Sequence, residues 1–153
     1  MIKVNENSKK FAFLFVSLLT YYFMVDNMTL ILLVSSFVDF LIIKKLPKAS
    51  HPKRLILISI IVNLIPLVYF KLGWLGRHET ITDFSLAIPL GISFYTFKSL
   101  SSVLSYQKLQ NSTYLDYLLY LSFFPTVIAG PIYSFEFFTK EFNKLSLPRV
   151  ELL

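Results

Sequence analysis

Lys98 and Ser102 are the residues whose types and spacing come closest to a nucleophilic pair. They lie four positions apart in the apolar stretch 84–106, so one face of a helix would carry both. A lysine that takes the proton of a serine hydroxyl could activate that hydroxyl as a nucleophile. Nothing else in the sequence would orient or activate the pair, so a structural role is the simpler interpretation.

Two histidines and one aspartate are the other candidates for chemistry. His51 lies in the basic loop 44–54 and His78 follows Arg77, and we interpret both as exposed loop residues. Asp39 is the only acid well inside an apolar run. We interpret it as a partner of the basic loop, which begins at Lys44, rather than as a general base.

Metal and thiol chemistry have little support in the sequence. The chain has no Cys, which excludes a disulfide, a thiolate metal site and a Cys nucleophile. Its two histidines are not at ligand spacing, so a zinc site is not expected. We predict no bound metal and no bound cofactor.

The composition is that of a chain surrounded by lipid. Of the 153 residues, 55% are hydrophobic and only 16% are charged, and the mean hydropathy is +0.62. The net charge of +6 comes from cations placed between apolar runs, as in membrane proteins. We therefore predict the lipid bilayer as a partner, no nucleic-acid binding, and one membrane domain over residues 1–153.

Three apolar runs in the first half are predicted membrane spans, at 11–25, 28–43 and 55–70. The first could be a signal peptide, but it ends in bulky residues without a cleavage site, which favours an uncleaved anchor. Runs this short give helices of about 22–24 Å, less than the membrane core of about 30 Å, unless snorkelling cations lengthen them. Asn63 and Pro66 inside the third run predict a kink and a hydrogen bond between helices. Positive-inside counting places Lys9, Lys10 and the loop 44–54 in the cytoplasm.

The second half is predicted to contain two broken helices, 84–106 and 114–131, and an amphipathic interfacial helix, 132–146. The first break is expected at Pro89 and Gly91, and the second, re-entrant one near Pro125–Pro131. The last helix would carry three phenylalanines on one face: Phe135, Phe138 and Phe142. The predicted fold is therefore an all-α integral membrane protein, a multi-helix bundle with a broken segment and an interfacial helix.

One face of the helix 84–106 would be polar. The stripe consists of Gly91, Tyr95, Lys98, Ser102 and Ser105, beside an apolar stripe that includes Phe97 and Leu104. Inside a membrane such a stripe should face protein or water rather than lipid. The alternative interpretation is a helix that lies in the membrane interface.

Two motifs carry a resemblance to a known family. They are IPLGISFYTF at 88–97, and LSFFP at 121–125 followed by IAGPI at 128–132. Together they resemble the membrane-bound O-acyltransferase (MBOAT) family, in particular the N-terminal part of bacterial polysaccharide O-acetyltransferases of the alginate O-acetylase type. The resemblance covers about 84–142, and a weaker likeness through Tyr69, Phe70 and Lys71 extends back over the first three helices.

The resemblance implies a helical bundle with a channel. The chain would cross the plasma (inner) membrane of a bacterium several times. The resemblance also implies transfer of acetyl from a cytoplasmic thioester, acetyl-CoA or an acyl carrier, to hydroxyls of an exported or cell-surface polysaccharide. The family's catalytic histidine lies in a downstream aromatic and arginine-rich segment that neither His51 nor His78 matches. We therefore carry over no catalytic residue, and expect inactivity without a second polypeptide that supplies the C-terminal catalytic half, or an extracytoplasmic acetyltransferase partner. The motif residues that could shape or line the channel are Pro89, Gly91, Tyr95, Lys98, Pro125, Gly130 and Pro131.

Two other functions remain open at this point. The chain could be a non-catalytic membrane subunit or the remnant of a truncated gene. A small transporter that uses the Lys98 stripe and the 124–132 turn is the less favoured alternative.

Overall fold

The computed structural model describes residues 6–25, 28–75, 83–123 and 133–144. Within these ranges all regular structure is helical, which confirms the all-α prediction. The described residues contain six α-helices: α1 (Glu6–Val25), α2 (Met28–Lys45), α3 (Pro52–Leu75), α4 (Asp83–Leu104), α5 (Tyr114–Ser122) and α6 (Phe135–Lys144). Two short 3-10 turns, Leu46–Lys48 and Tyr106–Leu109, follow α2 and α4.

The first three helices coincide with the predicted spans but are longer. They contain 20, 18 and 24 residues, or about 30, 27 and 36 Å. The expected shortfall against a membrane core of about 30 Å is therefore wrong for α1 and α3, whereas α2 remains slightly shorter than the core. The helices continue through their terminal cations, and Pro52 opens α3 at a position where its missing N–H is not needed.

The helices form one bundle in which α2 is central, in contact with α1, α3, α4 and α5. Lys10 near the start of α1 pairs with Asp116 near the start of α5, and Lys44 near the end of α2 bonds to the connection before α5. We call this the basic end of the bundle: the starts of α1, α3 and α5, the ends of α2 and α4, and the loops that join them.

The bundle buries polar side chains beside its hydrophobic core and exposes many large apolar side chains. Phe15, Phe23 and Tyr69 are among many exposed apolar residues, at 68%, 73% and 71% exposure. Asp39, Asn63 and other polar residues are fully buried. In the described residues, one segment, Pro52–Tyr69, is long and apolar enough to cross a membrane by length and composition.

Two predictions about broken helices have different outcomes. α4 runs as one helix through Pro89 and Gly91, so the break predicted there is wrong. A proline removes a single N–H from the helix ladder, and packing against neighbouring helices can compensate for that loss. Pro66 likewise lies within the continuous α3. The predicted turn at Pro125–Pro131 falls outside the described residues.

α6 is the predicted amphipathic helix, and its apolar face packs against protein. Phe138 lies 5.5 Å from the Tyr120 ring and 5.1 Å from the Phe123 ring, both on or just after α5. Phe142 makes an edge contact at 5.4 Å with Phe13 of α1. These contacts fix α6 against α1 and α5, whereas its location at a membrane interface stays a prediction.

Candidate functional site

The polar stripe of α4 points into the bundle. Tyr95, Lys98 and Ser102 are each at most 2% exposed, whereas Phe97 and Leu104 are 55% and 67% exposed. α4 packs against α2, α3 and α5, which does not fit a helix lying apart in an interface. The prediction that this stripe faces protein is therefore confirmed by its burial. Ser105, at the end of the stripe, is exposed.

A buried carboxylate joins four helices at the centre of the bundle. Asp39 of α2 accepts hydrogen bonds from the Ser59 hydroxyl at 2.5 Å and the Asn63 amide at 2.7 Å, both on α3. It also accepts one from the Ser99 hydroxyl of α4, whose oxygen is 3.0 Å from the Tyr117 hydroxyl of α5. We call these five residues the Asp39 network.

The Asp39 network changes one sequence interpretation and confirms another. Asp39 is 0% exposed and bonds within the bundle, so its predicted role as a partner of the basic loop is wrong. The predicted helix–helix bond of Asn63 is confirmed, and its acceptor is Asp39. Ser59 and Ser99 were missed. The signal that could have found Ser59 is its spacing of four residues from Asn63, on one face of α3.

Lys98 lies among aromatic rings and a helix end. Its ammonium donates to the Tyr120 carbonyl at 3.1 Å and lies 5.0 Å from the centre of the Tyr120 ring and 5.8 Å from that of Phe94. Tyr120 is in the last turn of α5, where carbonyls lack partners within the helix and a cation is favourable. This contact gives Lys98 a structural role at the end of α5.

The Lys98–Ser102 pair does not have the geometry of a nucleophile and its base. The Ser102 hydroxyl donates to the backbone carbonyl of Lys98 at 2.9 Å, one helical turn earlier. The Lys98 ammonium instead bonds to the carbonyl of Tyr120. The serine is therefore occupied by its own helix.

The start of α5 is held at the basic end by an ion pair. Asp116 accepts from Lys10 at 2.7 Å and forms a capping box with Thr113. Partial burial alone would raise the pKa of Asp116, but hydrogen bonds from Lys10 and Thr113 and the charge of Lys10 outweigh it and lower that pKa. Asp116 is therefore ionised across the physiological range.

Lys44 fixes the connection between α4 and α5. Its ammonium donates to the carbonyls of Leu109, Gln110 and Ser112, at 2.8 Å for Ser112. The Gln110 amide donates in return to the carbonyl of Ile43 at 3.0 Å. These bonds anchor the connection on the last turn of α2.

The structure tests only part of the predicted site. Tyr95 and Lys98 are both buried in the interior, and the Tyr95 hydroxyl has the Ser35 hydroxyl beside it but makes no well-formed hydrogen bond within the described residues. Pro89 and Gly91 lie in helical backbone. Three motif residues and one histidine fall outside the described ranges: Pro125, Gly130, Pro131 and His78.

The ionisable residues do not assemble a catalytic or metal centre within the described ranges. His51 is exposed in the basic loop, as expected. In this part of the chain no three residues of the types His, Cys, Asp and Glu come together as metal ligands. What the arrangement offers is a set of buried polar side chains, linked by hydrogen bonds and held between fixed helices.

Comparison with known proteins identifies curated relatives. The chain is 32% identical over 105 residues to the probable alginate O-acetylase AlgI of Pseudomonas aeruginosa, 60% of this chain and 20% of that protein. It is 27% identical over 110 residues to the AlgI of Azotobacter vinelandii, and 30% identical over 110 residues to that of Pseudomonas syringae pv. tomato. These two matches each cover 63% of this chain and 22% and 21% of the relatives.

No protein-family model matches the chain, and no solved structure matches it. The chain spans about a fifth of the length of the curated relatives it matches. The resemblance predicted from the two motifs is nevertheless confirmed, because the similarity to these relatives extends over 105 to 110 residues. Over some 60% of its length, the chain is related to alginate O-acetylases of the AlgI type.

Proposed function

We propose that this chain is a membrane-embedded part of an O-acetyltransferase that acetylates an exported or cell-surface polysaccharide in a bacterium. The observation that carries the activity is the similarity to AlgI proteins, whose name is alginate O-acetylase. The acetyl donor would be a cytoplasmic acetyl thioester, and the acceptor a hydroxyl of the glycan. Alginate is the polysaccharide in the name of the relatives, and the proposal for this chain requires only that the acceptor is a polysaccharide.

The distribution of side chains supports several crossings of the plasma membrane. Large apolar residues cover the outer faces of α1, α2 and α3, whereas serines, Asp39, Asn63 and Lys98 are buried in the interior beside the hydrophobic core. A water-soluble bundle would have the opposite arrangement, because exposed apolar surface of this extent is unfavourable in water. In lipid the same arrangement is favourable, since polar side chains must then find partners inside the bundle.

The chain's contribution to acetyl transfer would be to build a wall of the polar path that donor and acceptor share. Tyr95 is the best candidate to face that path, because it lies on the polar stripe of α4 and its buried hydroxyl makes no well-formed hydrogen bond within the described residues. Lys98 would hold the last turn of α5 beside it. The base that removes the hydroxyl proton would come from a histidine in another segment or polypeptide.

The membrane topology can be tested with single cysteines, because the chain has none of its own. His51→Cys places a thiol on the exposed basic loop, and Ile61→Cys places one on the exposed apolar face of α3. An impermeant maleimide should label His51→Cys in inside-out vesicles but not in intact spheroplasts. Ile61→Cys should stay unlabelled in both. Labelling of Ile61→Cys in intact, folded protein would show that α3 faces water and would overturn the proposal.

The activity can be tested by O-acetyl content. Cells that lack the gene should export polysaccharide with fewer acetyl esters, measured by NMR before and after mild alkali, and the gene should restore them. Unchanged acetylation in a strain without other homologues would refute the proposed reaction.

The role of Tyr95 is tested by Tyr95→Phe in the complemented strain. It should lower acetylation several-fold without lowering the amount of protein in the membrane, because the lost hydroxyl makes no well-formed hydrogen bond within the described residues, where Ser35 is its neighbour. Phe97→Leu, on the exposed face of the same helix, is the matched control and should leave acetylation unchanged.

The same proposal predicts a physical partner wherever the histidine segment is on a separate polypeptide. An affinity-tagged chain purified in mild detergent should then bring down a membrane protein that carries such a segment. Purification of a lone, stable and inactive chain would instead support the non-catalytic subunit.

A further inference from the structure

The exposed cations of the α2–α3 connection are separate from the cations that hold the bundle together. Lys10 and Lys44 bond to Asp116 and to backbone carbonyls. Four others in the same region are exposed, and none of them forms an ion pair within the described residues: Lys45, Lys48, Lys53 and Arg54. The stretch 44–54 contains no acid.

The connection is held in place rather than hanging free. Leu46, between the cations, is 2% exposed and belongs to the hydrophobic core. Pro47 lies in the short 3-10 turn and Pro52 opens α3, so both restrict the backbone. The cations are therefore presented from fixed positions.

Exposed apolar stripes on two helices end at these cations. On α2, Phe37 and Leu41 are exposed and Lys45 follows at the same spacing of four residues. On α3, Arg54 begins the stripe that continues through Ile58. A molecule with apolar chains and an anionic head would lay its chains along the stripes and place its head among the cations.

We propose that the α2–α3 connection binds the headgroup of an anionic phospholipid, with Lys45 and Arg54 at the phosphate and Lys48 and Lys53 around it. This inference rests on the proposed insertion of the bundle in a membrane. It adds selectivity for one headgroup charge, which insertion by itself does not require. Two acids near this end are paired with other cations, Glu136 with Lys108 and Asp116 with Lys10, and the stretch 44–54 itself contains no acid, so the site is positive.

The test is competition between two lipids with identical chains, phosphatidylglycerol and phosphatidylcholine. The whole protein that carries this chain is purified in detergent, mixed with both lipids, and the bound lipid is counted by native mass spectrometry. We expect preferential binding of phosphatidylglycerol that weakens as salt is raised. Each cation removed should lower the preference about fivefold, so Lys45→Gln with Arg54→Gln should lower it about 25-fold.

A matched control removes the same charge from α6. Lys140→Gln with Lys144→Gln should leave the preference nearly unchanged, because that helix also carries Glu136 and Glu141, and Glu141 pairs with Lys144. Lys45→Arg with Lys48→Arg keeps the charge and should bind as the unmodified protein does. Both control variants should have the same melting temperature as the variant Lys45→Gln with Arg54→Gln. Equal melting temperatures separate the loss of a lipid site from the loss of the fold.

Three results would overturn the inference. Equal retention of the two lipids would show no headgroup selectivity, and an equal loss in the α6 control would show only a general charge effect. Displacement of phosphatidylglycerol by millimolar inorganic phosphate would show a site for free anions instead of lipid. Alkaline carbonate extraction distinguishes the two proposals: a chain released by carbonate refutes membrane insertion, whereas a retained chain without lipid preference refutes only the lipid site.

Discussion

Replacing Asp39 with alanine should destabilise the bundle by removing an acceptor that three buried donors share. The donors are the hydroxyls of Ser59 and Ser99 and the amide of Asn63. Each net hydrogen bond contributes about 1 kcal/mol, so the loss should be about 3 kcal/mol. For a chain of this size that lowers the Tm by roughly 6–12 °C. The serines can turn to carbonyls of their own helices, which keeps the loss from being larger.

Asp39→Asn should be much milder. The asparagine oxygen can take the place of the carboxylate oxygen that accepts from Asn63 and Ser99. Its amide can face Ser59, whose hydroxyl then turns to accept. We expect a loss within about 1 kcal/mol, because every bond of the network has a replacement.

The assay uses the absence of native cysteine. Ser17→Cys places a reporter thiol on α1 at a buried site outside the Asp39 network, and a fluorogenic maleimide reacts with it when the bundle opens on heating. Ser122→Ala is the control, since the buried Ser122 hydroxyl lies outside the Asp39 network and donates to the carbonyl of Leu118 within α5, and its Tm should change little.

Two outcomes would refute the reasoning about Asp39. An alanine variant with the same Tm as the unmodified protein would show that the network contributes no stability. An asparagine variant with the same lowered Tm as the alanine variant would show that the bundle requires the carboxylate charge rather than the set of hydrogen bonds.

Three further predictions concern the basic end and α6. Because the pKa of Asp116 is lower in the folded chain than its ordinary value of about 3.9, its stabilisation is complete above that pH and is lost as pH falls through the folded pKa; Asp116→Asn should therefore flatten the fall of Tm below about pH 4, and an unchanged slope would contradict this. Lys44→Met should expose the α4–α5 connection to limited proteolysis and lower the free energy of unfolding by about 2–3 kcal/mol, because its bonds to carbonyls are lost. Lys45→Met, at an exposed site, is the control, and cleavage of both variants at the same rate would contradict this prediction. Phe138→Ala should lower stability by about 3–5 kcal/mol and release α6, measured by Tm and proteolysis. The half-exposed Phe137→Ala, which loses its stacking on Tyr133, should cost only about 1 kcal/mol, and equal effects would refute the packing of α6.

The positions of the helices were largely readable from the sequence. Apolar runs located α1, α2 and α3, and the face of α4 that carries Tyr95 and Lys98 followed from helical spacing alone. The ends were misjudged because the terminal lysines were taken as lying outside the helices. The break at Pro89 was misjudged because local propensity cannot show how far packing compensates for one missing bond.

The partners of the buried polar residues were much less predictable. Helical periodicity shows which side of a helix a residue occupies, but the rotation and register between helices depend on the packing of the whole bundle. Asp39 could therefore be singled out as unusual but was assigned the wrong partners. Only the tertiary structure brings Asn63 and Ser99 to it.

The sequence by itself determined the helical class, the location of the cations between apolar runs, the inward face of α4 and, through two motifs, the resemblance to alginate O-acetylases. The tertiary structure alone decided that α6 packs on protein, that Lys98 holds the end of α5, and that Lys44 holds the α4–α5 connection. The physical reason is the same for both lysines. Their acceptors are backbone carbonyls, which every residue carries, so no pattern of side chains marks them before the chain is folded.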